Sequence, residues 1–72
     1  YVQAGAFTDI NNARRLEAQL SGVGNIIVAM ADIGGRVFHR VRIGPMFDIA
    51  AAQLLLSDML LQGYNGARIV EE

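Results

Sequence analysis

The chain has 72 residues, enough for one domain but near the lower size limit for folding on a hydrophobic core alone. It has no cysteine and a single histidine, which excludes disulfides and cysteine- or histidine-based metal cages. Six basic against seven acidic residues give a net charge of −1, unlike the strong basic excess of most duplex nucleic-acid binders.

Residues 1–7, YVQAGAF, are predicted to form the first strand. The alternation of side chains points Gln3 away from the core. Gly5 inside the strand indicates a β-bulge, because glycine there is typical of a local irregularity. Such a bulge would place Ala6 on the same side as Gln3 and turn Phe7 inward.

An amphipathic helix is predicted next, with N-cap oxygens at Thr8 and Asp9 and an end at Ser21 and Gly22. Its apolar residues recur at helical spacing. They are Ile10, Ala13, Leu16 and Leu20.

Residues 25–31, NIIVAMA, are too short and too rich in β-branched side chains for a helix and are predicted as the second strand. The turn at residues 32–35, DIGG, joins it to the third strand as a hairpin. The bulkier side chains of the second strand are expected to face the helices. They are Ile26, Val28 and Met30.

Residues 36–43, RVFHRVRI, are predicted as a strand that ends at Gly44 and Pro45. Its inner side includes His39, expected to be a partly buried, hydrogen-bonded packing residue. Its other side is expected to be open to water. That side carries Phe38, Arg40 and Arg42.

Asp48 is predicted to cap a second helix over residues 49–62, which Gly63 ends. Residues 64–70 are predicted as the last strand, interrupted at Asn65-Gly66, and Glu71-Glu72 as a solvated end. The expected inward stripe of the helix is Ala52, Leu55, Leu56, Met59 and Leu60.

Leu54 and Leu61, with Ala50, fall on the outer side of this second helix. Two interpretations stay open. Either they are helix-favouring surface residues, or they form a contact with another domain of a parent protein or with a second copy.

The element order βαββαβ predicts an α+β domain of the ferredoxin-like (RNP-like) type. A four-stranded antiparallel sheet in order 4-1-3-2 would carry both helices on one face. The first and third strands then lie side by side at the centre. Gln3, Phe38, Arg40 and Arg42 are therefore expected to meet on the helix-free side.

YVQAGAF at the start, FHRVRIGP after the hairpin and ARIV in the closing strand together resemble the SPOR domain. HRVRIGP resembles the corresponding stretch of the C-terminal SPOR domain of rare lipoprotein A. The resemblance implies a periplasmic module that binds denuded peptidoglycan, glycan strands of N-acetylglucosamine and N-acetylmuramic acid without stem peptides, and carries its parent protein to the division septum. Residues 1–72 are accordingly expected to be one domain of a longer chain, whose full-length form is a candidate peptidoglycan lytic enzyme.

The resemblance also implies binding positions. Gln3, Ala6, Phe38 and Arg40 match positions that the family uses for glycan. A fifth position, on the last strand, matches Arg68, where the family often has an apolar residue. With Arg42 from the strand pattern, the predicted glycan-binding set is Gln3, Ala6, Phe38, Arg40, Arg42 and Arg68.

The topology leaves two other functions open, a single-stranded RNA binder and a small-ligand regulatory domain. An RNA binder of this fold needs paired aromatics on the two central strands, whereas the first strand offers Gln3, Gly5 and, at its end, Tyr1. An enzyme is not expected, since the chain offers no nucleophile–base set and its aspartates lie at turns or helix positions. No cofactor, metal, nucleic acid or direct membrane insertion is predicted. The aspartates are Asp9, Asp32, Asp48 and Asp58.

Overall fold

Four strands and two helices make up the fold in the computed structural model, which describes residues 1–71. The strands form one antiparallel sheet in the order β2-β3-β1-β4. This confirms the predicted α+β class and the strand order 4-1-3-2. The elements are β1 (Val2–Phe7), α1 (Ile10–Gln19), β2 (Ile26–Ile33), β3 (Arg36–Ile43), α2 (Ile49–Leu61) and β4 (Arg68–Ile69).

Both helices begin at an aspartate whose carboxylate satisfies a backbone donor of the first turn. The Asp9 side chain accepts from the Asn11 backbone N–H at 2.9 Å, and the Asp48 side chain accepts from the Ala50 N–H at 2.9 Å. The first backbone N–H groups of a helix have no partner inside the helix, so these caps fix where each helix starts. Both predicted helix starts are confirmed.

The core lies between one face of the sheet and the two helices. Val2 on β1 and Val41 on β3 are fully buried at its centre. Because both helices contribute to the same cluster, the opposite face of the sheet has no helix over it. The buried apolar residues are Val2, Ala4, Ala13, Leu16, Leu20, Val41, Ile43, Ala52 and Met59.

A β-bulge in β1 sets the register against β3. Gln3 pairs with Arg42 and Ala6 pairs with Arg40, so β1 has two residues between these pairs where β3 has one. The extra residue shifts the alternation of β1, as the position of Gly5 predicts. Ala6 consequently lies on the same side of the sheet as Gln3.

The same bulge turns Phe7 inward, where its ring packs against the core. A Cβ atom added at Gly5 would lie 3.1 Å from Cζ of Phe7 and 3.4 Å from Cδ2 of Leu16. A side chain at residue 5 would therefore require the Phe7 ring to shift by a few tenths of an ångström. The prediction for Phe7 is confirmed.

Two strand boundaries differ from the sequence-based ones. β2 continues to Ile33, because Gly34 and Gly35, at φ 60° and 84°, form a two-residue turn that leaves the hairpin strands full length. β4 covers only Arg68–Ile69 rather than residues 64–70. The residues before it form a turn instead, in which the Ala67 N–H donates to the Tyr64 carbonyl at 3.0 Å.

Two side chains expected to face inward are more exposed than predicted. Leu60 is 44% exposed because the buried line of α2 runs through Ala52 and Met59, which leaves Leu60 on the flank. Met30 is on the helix side of β2, opposite His39, but is 72% exposed because it lies on an edge strand.

The outer side of α2 is exposed as predicted. Leu54 is 70% exposed and Leu61 is 86% exposed, while Ala50 is also exposed. At the C-terminal end Glu71 is exposed, and Glu72 lies outside the described residues.

Candidate functional site on the helix-free face

All six residues predicted to bind glycan lie on the sheet face that carries no helix. The strand registers place them there, because residues paired across antiparallel strands point to the same side. We call this surface the open face, defined by Gln3, Ala6, Phe38, Arg40, Arg42 and Arg68.

One row of the open face crosses all four strands. Arg68 of β4 pairs with Gln3 of β1, which pairs with Arg42 of β3, which pairs with Ile27 of β2. Neighbouring strands lie about 4.8 Å apart, so Arg68 and Arg42 flank Gln3 at this spacing. The row places one amide between two guanidinium groups.

A second row lies two residues earlier in β3, at Arg40. Arg40 pairs with Ala6 on one side and with Ala29 on the other. Both neighbours have methyl side chains, which leaves room above the sheet beside Arg40. Phe38 lies two residues before Arg40 in the chain and pairs with Ala31 of β2.

Gln3 and Arg42 are buried, contrary to the expectation that Arg42 lies open to water. Gln3 is 5% exposed and Arg42 is 6% exposed. They lie on the two central strands, and Nε of Arg42 donates to Oε1 of Gln3 at 3.4 Å. The guanidinium carbon of Arg42 also lies 5.8 Å from the centroid of the Tyr1 ring, a cation–π distance.

Arg40 and Arg68 differ from Arg42 in their surroundings. Arg68 is exposed, and Arg40 is half-buried with an Nε that has no hydrogen-bond partner among residues 1–71. The ion pair found within residues 1–71 joins Arg14 and Glu17 on α1, at 3.1 Å. No carboxylate of residues 1–71 therefore forms an ion pair with Arg40 or Arg68.

His39 lies on the inner side of β3, opposite Phe7 and Met30, and is half-buried as predicted. The expected hydrogen bond is not formed at Nδ1, which is buried without a partner among residues 1–71. Phe7 and Met30, which pair with His39, are apolar and offer Nδ1 no hydrogen-bond partner.

Tyr1 is a residue of this face that the candidate set omits. Its ring lies under the Arg42 guanidinium and is half-buried. The alternation of β1 provides the signal, since Tyr1 precedes inward-facing Val2 just as Gln3 follows it. Tyr1 and Gln3 together hold Arg42 in place.

Residues 1–71 contain neither a cluster of metal-ligating side chains nor a helix that could span a membrane. That part of the chain brings no three His, Asp or Glu side chains together in a way suited to a metal ion. Neither of its helices is long and apolar enough to cross a membrane.

Comparison with known proteins identifies the domain. The family model of the SPOR domain matches residues 1–69. The chain belongs to the SPOR domain family. This SPOR domain also superimposes on the crystal structure of the RlpA SPOR domain from Pseudomonas aeruginosa with a TM-score of 0.86 and 25% sequence identity, covering 99% of this chain and 96% of that chain. Among curated proteins, none matches the chain.

Family membership agrees with the resemblance inferred from YVQAGAF and FHRVRIGP. A SPOR domain is a binding domain rather than a catalytic one. Membership therefore supports a peptidoglycan-binding module that acts at the cell wall.

Proposed function

We propose that this SPOR domain binds denuded peptidoglycan glycan strands through its open face and thereby carries its parent protein to the division septum of the cell envelope. The observation that supports this most is the arrangement of the open face. An amide, an aromatic ring and arginines occupy adjacent positions of one helix-free surface.

The arginines suit the anionic group of such a glycan. When an amidase removes the stem peptide, muramic acid is left with a free lactyl carboxylate. A guanidinium group binds a carboxylate through two parallel hydrogen bonds. Arg40 and Arg68 fit this role best, because no carboxylate of residues 1–71 pairs with either of them.

Phe38 and Gln3 suit the neutral parts of the sugar. The half-buried ring of Phe38 offers an apolar surface for the C–H face of a pyranose or for an acetamide methyl group. Gln3 has both donor and acceptor atoms that match an acetamide. Arg42 holds Oε1 of Gln3 at 3.4 Å, which leaves the amide NH2 of Gln3 as the donor for ligand.

Selection against peptide-bearing glycan follows from the same surface. A stem peptide converts the lactyl carboxylate into an amide and removes the charge that Arg40 and Arg68 would bind. It also adds bulk over the sheet face on which the glycan would lie. Discrimination therefore requires no catalytic group.

Affinity per domain is expected to be low to moderate. A hydrogen bond to a charged group contributes roughly 1.5–3 kcal/mol when it is desolvated. An ion pair that stays exposed contributes less than about 1 kcal/mol, and Arg68 is exposed. Several contacts along β1 and β3 must then act together.

The test is capture of the domain on purified sacculi before and after digestion with an amidase that removes stem peptides. Capture should rise with digestion and fall in Arg40→Ala, while Arg15→Ala on the outer side of α1 makes the same charge change and should bind normally. Equal capture before and after digestion would refute selection for denuded glycan. A gel shift with single-stranded RNA, together with no glycan capture, would support the RNA-binding alternative.

A further inference from the structure

The outer edge of β2 is an unprotected strand edge. β2 ends the sheet order and pairs only with β3, through eight residues in regular register from Ile26 to Ile33. Among residues 1–71, no backbone hydrogen bond outside this ladder reaches residues 26–33. Half of the backbone donors and acceptors of β2 therefore point outward without a partner in that part of the chain.

Sheet edges in soluble proteins usually carry devices that prevent pairing with another strand, such as lysine, proline, a bulge or a very short strand. β4, the other edge, has only two residues. β2 has no lysine, proline or bulge, and its charged residue, Asp32, lies next to its C-terminal end, so residues 26–31 carry no charge. Its side chains are instead apolar and open to solvent, with Ile27 at 40%, Met30 at 72% and Ile33 at 58% exposure.

We propose that β2 pairs antiparallel with β2 of a second copy, so that two domains form one eight-stranded sheet. A copy is the occupant that fits, because residues 26–31 of the strand are uncharged and apolar on both faces. A register centred on Val28 then sets apolar side chains opposite apolar ones, with Ile26 opposite Met30 and Ile27 opposite Ala29, and leaves Asp32 opposite no residue of β2. The unpaired backbone groups of each copy satisfy those of the other.

This pairing has a geometric consequence for the proposed glycan site. Antiparallel pairing of identical edge strands places the two-fold axis perpendicular to the sheet, so both open faces point to the same side. β3 of one copy would lie three strand spacings, about 14 Å, from β3 of the other. The dimer would present two glycan sites on one surface, and this consequence rests on the proposed function whereas the pairing does not.

Sedimentation across a range of protein concentrations, without glycan, tests the pairing. Wild type should shift from monomer to dimer, and Met30→Lys should stay monomeric because it places a charge on the edge. Leu61→Lys, an equally simple change at an exposed leucine of α2, should dimerise like wild type. Backbone amide exchange should also slow with concentration at alternate residues of β2 and not elsewhere.

Each other outcome overturns the proposal. Wild type that is monomeric at every concentration removes the dimer, and loss of the dimer in Leu61→Lys but not in Met30→Lys moves the interface to α2. If wild type dimerises as proposed, Met30→Lys should lower capture on amidase-treated sacculi by about tenfold through lost bivalency. Unchanged capture would then refute the bivalent arrangement while leaving the proposed glycan site intact.

Discussion

Oε1 of Gln3 accepts from Nε of Arg42 at 3.4 Å across the two central strands of the sheet, in a pair that is almost completely buried. The pair lies on the face away from the core, where a small domain usually exposes its polar residues. Arg42 also contacts the Tyr1 ring at 5.8 Å. We therefore propose that Arg42 positions Gln3, whereas Arg40 and Arg68 are the cations that a ligand would bind.

Gln3→Glu should keep the fold and weaken glycan capture by about tenfold, equivalent to about 1.4 kcal/mol. The carboxylate keeps the shape of the side chain and is a stronger hydrogen-bond acceptor for Arg42. It also adds a negative charge where an anionic glycan would bind. Urea unfolding and capture on amidase-treated sacculi measure the two effects. Wild-type capture by this variant would show that Gln3 does not lie near the ligand.

Gln3→Ala tests whether Gln3 contacts the ligand or has only a structural role beside Arg42. Removing an acceptor from a buried donor should lower the free energy of unfolding by about 1 kcal/mol. Capture should fall together with it, because both the amide and the orientation of Arg42 are lost. Undiminished capture combined with reduced stability would assign Gln3 a purely structural role.

Phe38→Ala should weaken glycan capture with a modest loss of stability. Phe38 is only half-buried, so the loss should be smaller than the roughly 3–5 kcal/mol of a fully buried phenylalanine. Phe47→Ala is the matched control, because Phe47 is 95% exposed, lies in the segment before α2 and is not one of the residues that define the open face. Titration with a denuded oligosaccharide, followed by fluorescence or calorimetry, should show weaker binding in the first variant alone. Equal binding by both would exclude a role for the Phe38 ring.

The helices, the strand order and the β1 bulge could be predicted from local patterns. Aspartate caps precede apolar stripes at helical spacing, and Gly5 interrupts an otherwise regular strand. The length of β4 could be predicted only in part. Asn65-Gly66 signals the interruption, but Tyr64 and Val70 favour a strand, and only Arg68 and Ile69 pair with β1.

Sequence patterns predict which face of the sheet carries the candidate site but not how exposed its residues are. Alternation along β3 puts Phe38, Arg40 and Arg42 on one side, as the register has them. Burial of Arg42 depends on Gln3 and Tyr1, which lie 39 and 41 positions earlier in the chain. Alternation within one strand gives no information about such neighbours across strands.

Arg68→Leu should make glycan binding less sensitive to salt. Arg68 is exposed, so its attraction to a carboxylate is screened over a Debye length of about 8 Å at physiological ionic strength. The variant should bind more weakly than wild type at low salt, and the two affinities should converge at high salt. Arg15→Leu on α1 serves as the charge-matched control and should keep the wild-type salt dependence. Parallel salt curves for Arg68→Leu and wild type would exclude Arg68 from the site.

Gly44→Ala should destabilise the domain, whereas Gly66→Ala should not. Gly44 has a φ of 137°, and a Cβ there would lie 2.9 Å from the Met46 backbone nitrogen and 3.3 Å from Cδ1 of Tyr1. The backbone strain alone costs about 1–3 kcal/mol, and the second clash would displace the ring beneath Arg42. Gly66 has no atom within 4 Å of an added Cβ and no positive φ, so the same change should be neutral or slightly stabilising. Urea unfolding of both variants decides the matter, because equal midpoints would show that the end of β3 tolerates a side chain and that Tyr1 is not held against Gly44.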